Sequence, residues 1–507
     1  YIYKNALCFF QTRFSVEIKN KKHCFLPMSI NQSMYSELDK KINDLLYRNK
    51  PTLGIGHGCA VSWDHDKTEQ YKLITESIPV FEMKKIDPQQ NKSERFKDID
   101  LSFFNLSDRG AEDKIIITNL NSLAASYEKW LDVMLDNSKS LSDKYKDTAD
   151  HNIKKCKKAL SRIKEGIHLL EQDENSFKAF MLMNRAVLIQ HLRSKQDLRG
   201  WKYENGYQLI EEYIDINIED RSTWPESVDY IPSWFPYQIA FILINIKSII
   251  DPESDDRNDV ECIWFPTGGG KTEAYLGLIG FTILYRRLKD PDTKGVSSVM
   301  RYTLRLLTAQ QFQRASSLIT ACEYIRAQSS DLFGNNNNRI SIGLWVGASL
   351  SPNKRINAVK NYNNLMQSNN REENKLVVDK CPWCAAAMGK VEVFDVDRDR
   401  ITTRTLGYKD HKSNGTRSVI YQCENSGCYF SNGNRLLPIY VVDEDLYKNT
   451  PDLVIGTVDK FARFPWDKNL ESINMFRFID GVQDPPDLII QDELHLISGP
   501  LGSLAGI

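Results

Sequence analysis

The chain has 507 residues, a length that suits about three domains of ordinary size. Its 66 Lys and Arg balance 67 Asp and Glu, so no global basic field advertises a nucleic-acid partner and any basic surface must be local. At 41% hydrophobic residues the composition supports ordinary folded cores, no apolar run reaches the length of a membrane span, and Tyr1-Ile2-Tyr3-Lys4 lacks the pattern of a secretory signal.

The first residue is not Met, which leaves room for residues in front of it. Ten cysteines, four of them in two tight pairs, suit a reducing compartment and a metal site better than a disulfide framework, so the chain reads as cytoplasmic.

Residues 1–115 read as an α+β region, with a strand over 7–18 and a helix over 31–48. Gly54-Ile55-Gly56-His57-Gly58-Cys59 is a glycine-rich turn, but no helix opens after it, because Ala60-Val61-Ser62-Trp63 reads as extended. His57 and Cys59 have ligand chemistry, but a plain turn beside a core cysteine is the favoured reading.

Residues 116–230 read as a helical region. Ile153, Cys156, Leu160, Ile163, Ile167 and Leu170 recur at spacings of three and four and make one face apolar. Lys154, Lys155, Lys157, Lys158 and Lys164 fall off that stripe, as a solvated face or as contacts to a nucleic-acid backbone. A helix over 177–192 carries Phe180, Met183 and Val187 on one stripe, with His191 at its boundary. Trp224-Pro225 and Ile231-Pro232-Ser233 punctuate a linker.

From residue 231 onward strands alternate with helices. The reading places strands over 262–265, 299–302, 340–346, 453–456 and 488–491, with helices over 239–249, 273–287 and 309–326. That alternation implies an α/β fold with a mostly parallel sheet. Two Asn-rich tracts, 335–338 and 361–375, read as loops.

Cys262-Ile263-Trp264-Phe265 is an apolar strand pattern, followed by Pro266-Thr267-Gly268-Gly269-Gly270-Lys271-Thr272 and a helix-forming run. Strand, glycine loop, Lys-Thr and helix are the parts of a phosphate-binding loop for ATP. Glycines let backbone N–H groups approach phosphate oxygens. Lys271 would neutralise the β- and γ-phosphates, and Thr272 would put its hydroxyl on Mg²⁺. The general pattern wants a glycine where Phe265 stands. Farther on, Leu488-Ile489-Ile490-Gln491 is an apolar strand that ends in Asp492-Glu493. Asp492 would hold the same Mg²⁺, and Glu493 would orient and deprotonate the attacking water.

The form Pro-Thr-Gly-Gly-Gly-Lys-Thr, together with Asp492-Glu493-Leu494-His495, resembles the superfamily 2 DExH-type helicases. Within them, the loop, the run Arg301-Tyr302-Thr303-Leu304-Arg305-Leu306-Leu307-Thr308 and the tail from Gln491 to Gly502 look like the helicase-like component of the bacterial DISARM antiphage system. The resemblance covers residues 231–507 well and residues 1–230 loosely. It implies a RecA-like first motor domain over 231–507 that hydrolyses ATP and moves on DNA, a single strand or a duplex end. It also implies a DrmB-like protein partner. Gln238 stands where the adenine-reading glutamine stands in that superfamily. Arg301, Arg305, Thr308, Gln310, Thr457 and Lys460 stand in segments that touch one nucleic-acid strand, and His495 in the box that couples hydrolysis to movement. The sequence ends at Ile507, soon after the box, so a second RecA-like domain with its arginine finger is expected in a longer protein, without which the ATPase site is incomplete.

Cys381-Pro-Trp-Cys384 and Cys423-Glu-Asn-Ser-Gly-Cys428 form two knuckles inside an insertion over about 376–440. Four thiolates make a closed tetrahedral site, the structural Zn²⁺ arrangement, here within a zinc ribbon of short strands. An iron–sulfur cluster is the rival, although paired knuckles favour zinc. His411 is surplus to a four-cysteine site. Two functions therefore stand: an ATP-driven motor on DNA in antiviral defence, and an ATP-gated nucleic-acid-binding or sensor protein with slow or no turnover.

Overall fold

The computed structural model describes residues 13–20, 24–26, 36–49, 52–63, 71–77, 97–107, 113–263, 269–302, 305–334, 338–367, 374–413, 415–433, 435–462, 466, 470–479 and 483–494, with the backbone alone at 113, 305–309, 413 and 470. The chain divides into two compact units, residues 1–88 with 125–161, and residues 89–124 with 162–507.

The first unit holds a three-stranded antiparallel sheet in the order Ser15–Glu17, Lys72–Glu76, Ala60–Ser62. Its short helix, Glu37–Leu46, starts later than the expected residue 31. Ser36 caps it, the hydroxyl accepting the N–H of Asp39 at 3.2 Å. Residues 125–161 of the unit come from two long helices, Asp113–Lys139 and Asp143–Gln172.

The second unit is built on a five-stranded parallel sheet in the order Ile439–Tyr440, Ile342–Trp345, Leu453–Thr457, Ser298–Tyr302, Leu488–Gln491. Leu453–Thr457 and Ile342–Trp345 are buried along their whole length, as strands covered on both faces must be. The helix Lys271–Lys289 is buried from Ala274 to Leu284 on every side. The helix Glu174–Ser194 packs on it and on Arg305–Gln328, in the same unit as the sheet. A mixed α/β fold with a parallel sheet thus matches the alternation read from the sequence.

Two local expectations are corrected, at 361 and at 262. Past the linker residues 224–233, which form no helix or strand, Trp234 is fully buried, and its indole N–H donates to Asn184 Oδ1 at 2.6 Å. Its backbone N–H donates to Leu101 O at 2.9 Å, and a Cβ on Gly277 would lie 2.6 Å from its ring. The Asn-rich tract from 361 begins inside a helix, Arg355–Met366, because Asn361 is buried and its Oδ1 accepts the N–H of Lys375 at 3.2 Å. Cys262 is exposed and no strand forms at 261–263, where Arg162 holds Glu261 in an ion pair; Trp264 and Phe265 lie outside the described residues.

Candidate functional site

Gly270 opens the helix Lys271–Lys289 with φ +86°, a left-handed conformation that glycine adopts without steric cost. It has no side chain to cap the helix, so the first-turn N–H groups at Lys271 and Thr272 face the loop with the positive end of the helix dipole. Thr267 and Gly268 lie outside the described residues.

Gln238 sits in the first turn of the helix Pro236–Ile250 and is buried. Its Oε1 accepts the N–H of Phe235 at 2.8 Å, the reach-back of a capping box, and its Nε2 donates to Gly270 O at 2.7 Å. Tyr237 donates its hydroxyl to Gly269 O. Burial, with Glu273 nearby, pushes the Tyr237 phenol up to about 12, so it remains a donor. Two consecutive side chains therefore hold the glycine loop by its carbonyls.

Asp492 follows the strand Leu488–Gln491, whose register pairs Gln491 with Arg301. Its N–H donates to Arg301 O at 3.1 Å, which sets it beside Tyr302 at the end of the neighbouring strand. The Tyr275 hydroxyl lies 2.8 Å from Asp492 Oδ2, 3.1 Å from Thr272 Oγ1 and 3.0 Å from the Tyr302 hydroxyl. Helix start and strand end meet at that oxygen. Burial, with the Asp492 carboxylate nearby, pushes both phenols well up. Glu493 follows with φ +50°, its N–H donating to Asp492 Oδ1 at 2.9 Å. Glu273, in the first turn of the helix, is ion-paired with Arg314. Sequence reasoning did not single out Tyr237, Tyr275 or Tyr302; the three-residue step from Thr272 to Tyr275 on one helix face was the available signal.

The residues expected at nucleic acid are differently disposed. Gln310 is exposed and Arg301 half-buried, its guanidinium 5.5 Å from the Phe461 ring centroid. Thr457 is fully buried, its Oγ1 without a hydrogen-bond partner among the described residues. Lys460 is buried with its Nζ 2.6 Å from Asp443 Oδ2 and 5.4 Å from the Trp345 ring centroid. Burial pushes the Asp443 carboxyl up to about 6 against the pull of Lys460. In this conformation Lys460 is spent on an internal ion pair, because a charge taken out of water needs a partner. Arg305 and Thr308 begin the helix Arg305–Gln328, and nothing beyond their backbone is described; His495 lies outside the described residues.

Cys381, Cys384, Cys423 and Cys428 converge, with all four sulfurs buried and within 4.8 Å of one another. Cys381 Sγ is 4.0 Å from Cys428 Sγ, and Cys384 Sγ is 3.5 Å from Cys423 Sγ. Four thiolates 2.3 Å from one tetrahedral ion stand about 3.8 Å apart, so the set fits a metal ion such as zinc. Hydrogen bonds from the neighbouring thiols, Cys381 first, hold the Cys384 thiol well below its ordinary range. In the first knuckle Cys381 O accepts the N–H of Ala385 at 3.0 Å, with Ala385 at φ +61°. In the second, the N–H of Cys428 donates to Asn425 O at 2.9 Å. His411 is exposed on the strand Tyr408–Ser413 and outside the cluster.

The cysteine segment is not a free-standing ribbon. Its hairpin Gly389–Asp395 and Arg400–Leu406 continues into Trp201–Tyr203 and Tyr207–Leu209 as one four-stranded sheet. Arg193 lies 3.3 Å over the Trp383 ring, donates to Trp383 O at 2.7 Å and pairs with Asp215 at 2.9 Å.

The fold and site define a mixed α/β protein with a parallel five-stranded sheet and a four-cysteine centre. No protein-family model matches the chain. It is 34% identical over 507 aligned residues to the DISARM protein DrmA of Bacillus paralicheniformis, an alignment that takes in 92% of this chain and 42% of that relative. The chain is a DrmA-like protein and spans less than half the length of the relative it matches.

Proposed function

We propose that this chain is part of an ATP-driven, helicase-type motor that acts on DNA in a DISARM-like antiphage defence system in the cytoplasm. The observation that carries the reading is the meeting of Thr272 and Asp492 at the Tyr275 hydroxyl, 3.1 and 2.8 Å away. A helix start carrying Lys-Thr beside a parallel strand ending in Asp-Glu is the pairing an NTP–Mg²⁺ complex needs. In this reading the parallel sheet is RecA-like. Gly269, Gly270, Lys271 and Thr272 hold the phosphates, with Thr267 and Gly268 completing the loop. Thr272 and Asp492 hold Mg²⁺, and Glu493 takes the proton from the attacking water. Mg²⁺, when bound, supplies charge neutralisation at the phosphates. The four-cysteine centre holds structural zinc. Likeness to a DISARM protein supports the defence role and a partner of the DrmB kind.

The test is ATP hydrolysis by the full-length protein with and without single-stranded DNA. The expected result is DNA-stimulated turnover that Lys271→Ala abolishes. Robust turnover indifferent to any nucleic acid would sink the motor reading. A second reading, ATP-gated binding with little turnover, draws on the inward-facing Thr457 and Lys460; slow hydrolysis with ATP-dependent DNA retention favours it.

A further inference from the structure

We propose that Tyr275, backed by Tyr302, is a positioning residue of the nucleotide site: its hydroxyl sets the Thr272 and Asp492 side chains at the spacing a nucleotide-bound divalent cation requires. This rests on the ATP-site reading above and assigns it a residue outside the loop and the acidic pair.

Three elements converge on one oxygen. Tyr275 stands one turn beyond Thr272 on the helix Lys271–Lys289, so both point to the same side. Tyr302 ends the strand Ser298–Tyr302, and Asp492 is carried past the end of the adjacent strand by the Gln491–Arg301 register. Tyr275 is 6% exposed and Tyr302 1%, so water cannot stand in for either hydroxyl. An ionised carboxylate only accepts hydrogen bonds, which assigns the Tyr275 proton to Asp492 Oδ2. Thr272 Oγ1 lies 3.1 Å from the same hydroxyl as its second acceptor, and the Tyr275 oxygen can accept from the Tyr302 hydroxyl 3.0 Å away. The Tyr275 hydroxyl thus sits between Thr272 Oγ1 and Asp492 Oδ2 and leaves each of those oxygens a further lone pair, which is what a cation takes from its ligands. Asp492 Oδ1 is fixed separately by the N–H of Glu493 at 2.9 Å, so the carboxylate is held at both oxygens with lone pairs to spare. Such orienting partners of metal ligands typically tune metal affinity by about 10- to 100-fold.

The test is Mg²⁺ titration of fluorescent ATP-analogue binding to the full-length protein, wild type and Tyr275→Phe, with melting curves and Mg²⁺-free binding as companions. The expected result is an apparent Mg²⁺ affinity lowered about 10-fold or more, with Mg²⁺-free nucleotide binding changed less and melting still a single cooperative transition, at a lower midpoint. Tyr302→Phe is expected to move the Mg²⁺ midpoint the same way by less. An unchanged Mg²⁺ midpoint in Tyr275→Phe, while Lys271→Ala abolishes nucleotide binding, overturns the proposal and spares the ATP site. Nucleotide binding that survives Lys271→Ala overturns both. Should Tyr275→Phe fail to fold, Tyr302→Phe decides alone, and an unmoved midpoint overturns the proposal.

Discussion

The indole N–H of Trp201 donates to the carbonyl of Ala387 at 2.8 Å, across 186 residues of chain. It belongs to a seam in which the N–H of Arg199 donates to Ala385 O and the N–H of Ala387 donates to Arg199 O, both at 3.0 Å. The first cysteine knuckle is therefore seated on residues 199–201. Because a metal site contributes folding energy wherever its ligands are ordered, removal of the ion should loosen both sides of the seam. Elemental analysis should find one zinc per chain in a colourless protein, and Cys384→Ser or chelation should speed hydrogen exchange at 201–209 as well as at 381–428. Exchange at 201–209 that ignores metal loss would defeat this coupling; a brown protein with visible absorbance would point to iron–sulfur instead.

Arg287 and Asp452 form an ion pair at 2.8 Å with side chains 4% and 5% exposed. Asp452 also accepts the N–H of Ser341 at 2.9 Å, tying the helix Lys271–Lys289 to the start of two sheet strands. Arg287→Met strands a buried carboxylate and should cost about 3–5 kcal/mol in urea unfolding. The double variant Arg287→Met with Asp452→Asn should recover part of that loss, since no charge is left unpaired. Equal losses in the single and double variants would mean that packing, not charge, dominates.

These contacts mark where sequence reasoning succeeds and where it stops. Leu453–Thr457 was legible because a short apolar run between turn signals needs burial on both faces; Leu488–Gln491 shows the same apolar run, although it is the edge strand of the described sheet and Ile489 is exposed. The four cysteines were legible because knuckle spacing constrains sulfur geometry locally. The pairing of Trp201–Tyr203 with Gly389–Asp395 was not, because three residues carry no periodicity and their partner lies nearly 200 positions away, as the Trp201–Val393 register shows. The seating of Trp234, just past the residues that Pro and Ser punctuate, was not legible either, because its partner Asn184 is visible only in three dimensions. The same limit holds at Lys460, where sequence displays a charge and hides its partner, Asp443.

His191 ties stability to pH. Its ring sits against Phe103 and Tyr230, its Nε2 3.1 Å from the Tyr230 hydroxyl. Burial, with Lys195 and Arg314 adding to it, pushes its pKa down from 6.5 to about 4. Above the unfolded value both states are neutral and His191 contributes no slope. As pH falls from 6.5 towards about 4, the unfolded chain takes a proton that the folded chain refuses, so stability declines across that window. His191→Gln, which cannot titrate, should flatten the slope. Urea midpoints of both proteins measured at steps between about pH 7 and pH 4 check this; parallel slopes would rule His191 out as the source.

Gln238 joins Phe235 to the glycine loop, its Oε1 2.8 Å from the Phe235 N–H donor and its Nε2 2.7 Å from Gly270 O. Both polar ends are committed to protein in this conformation, so its first effect is on the shape of the loop and any reading of a base is added to that. A Cβ on Gly270 would come within 2.8 Å of Gln238 Nε2, so the two positions are fitted to each other. Loss of one part-buried hydrogen bond to a carbonyl left without its donor costs about 1–3 kcal/mol, or roughly 5- to 150-fold in an equilibrium. Gln238→Ala should therefore weaken nucleotide binding by an amount in that range, and it should do so for ATP and GTP alike, because the phosphates are common to both. A residue that acted only on adenine would lose its effect with GTP. Titration of the wild type and the variant with each nucleotide separates the cases: an ATP-specific loss refutes the loop-holding role, and an equal loss on both supports it.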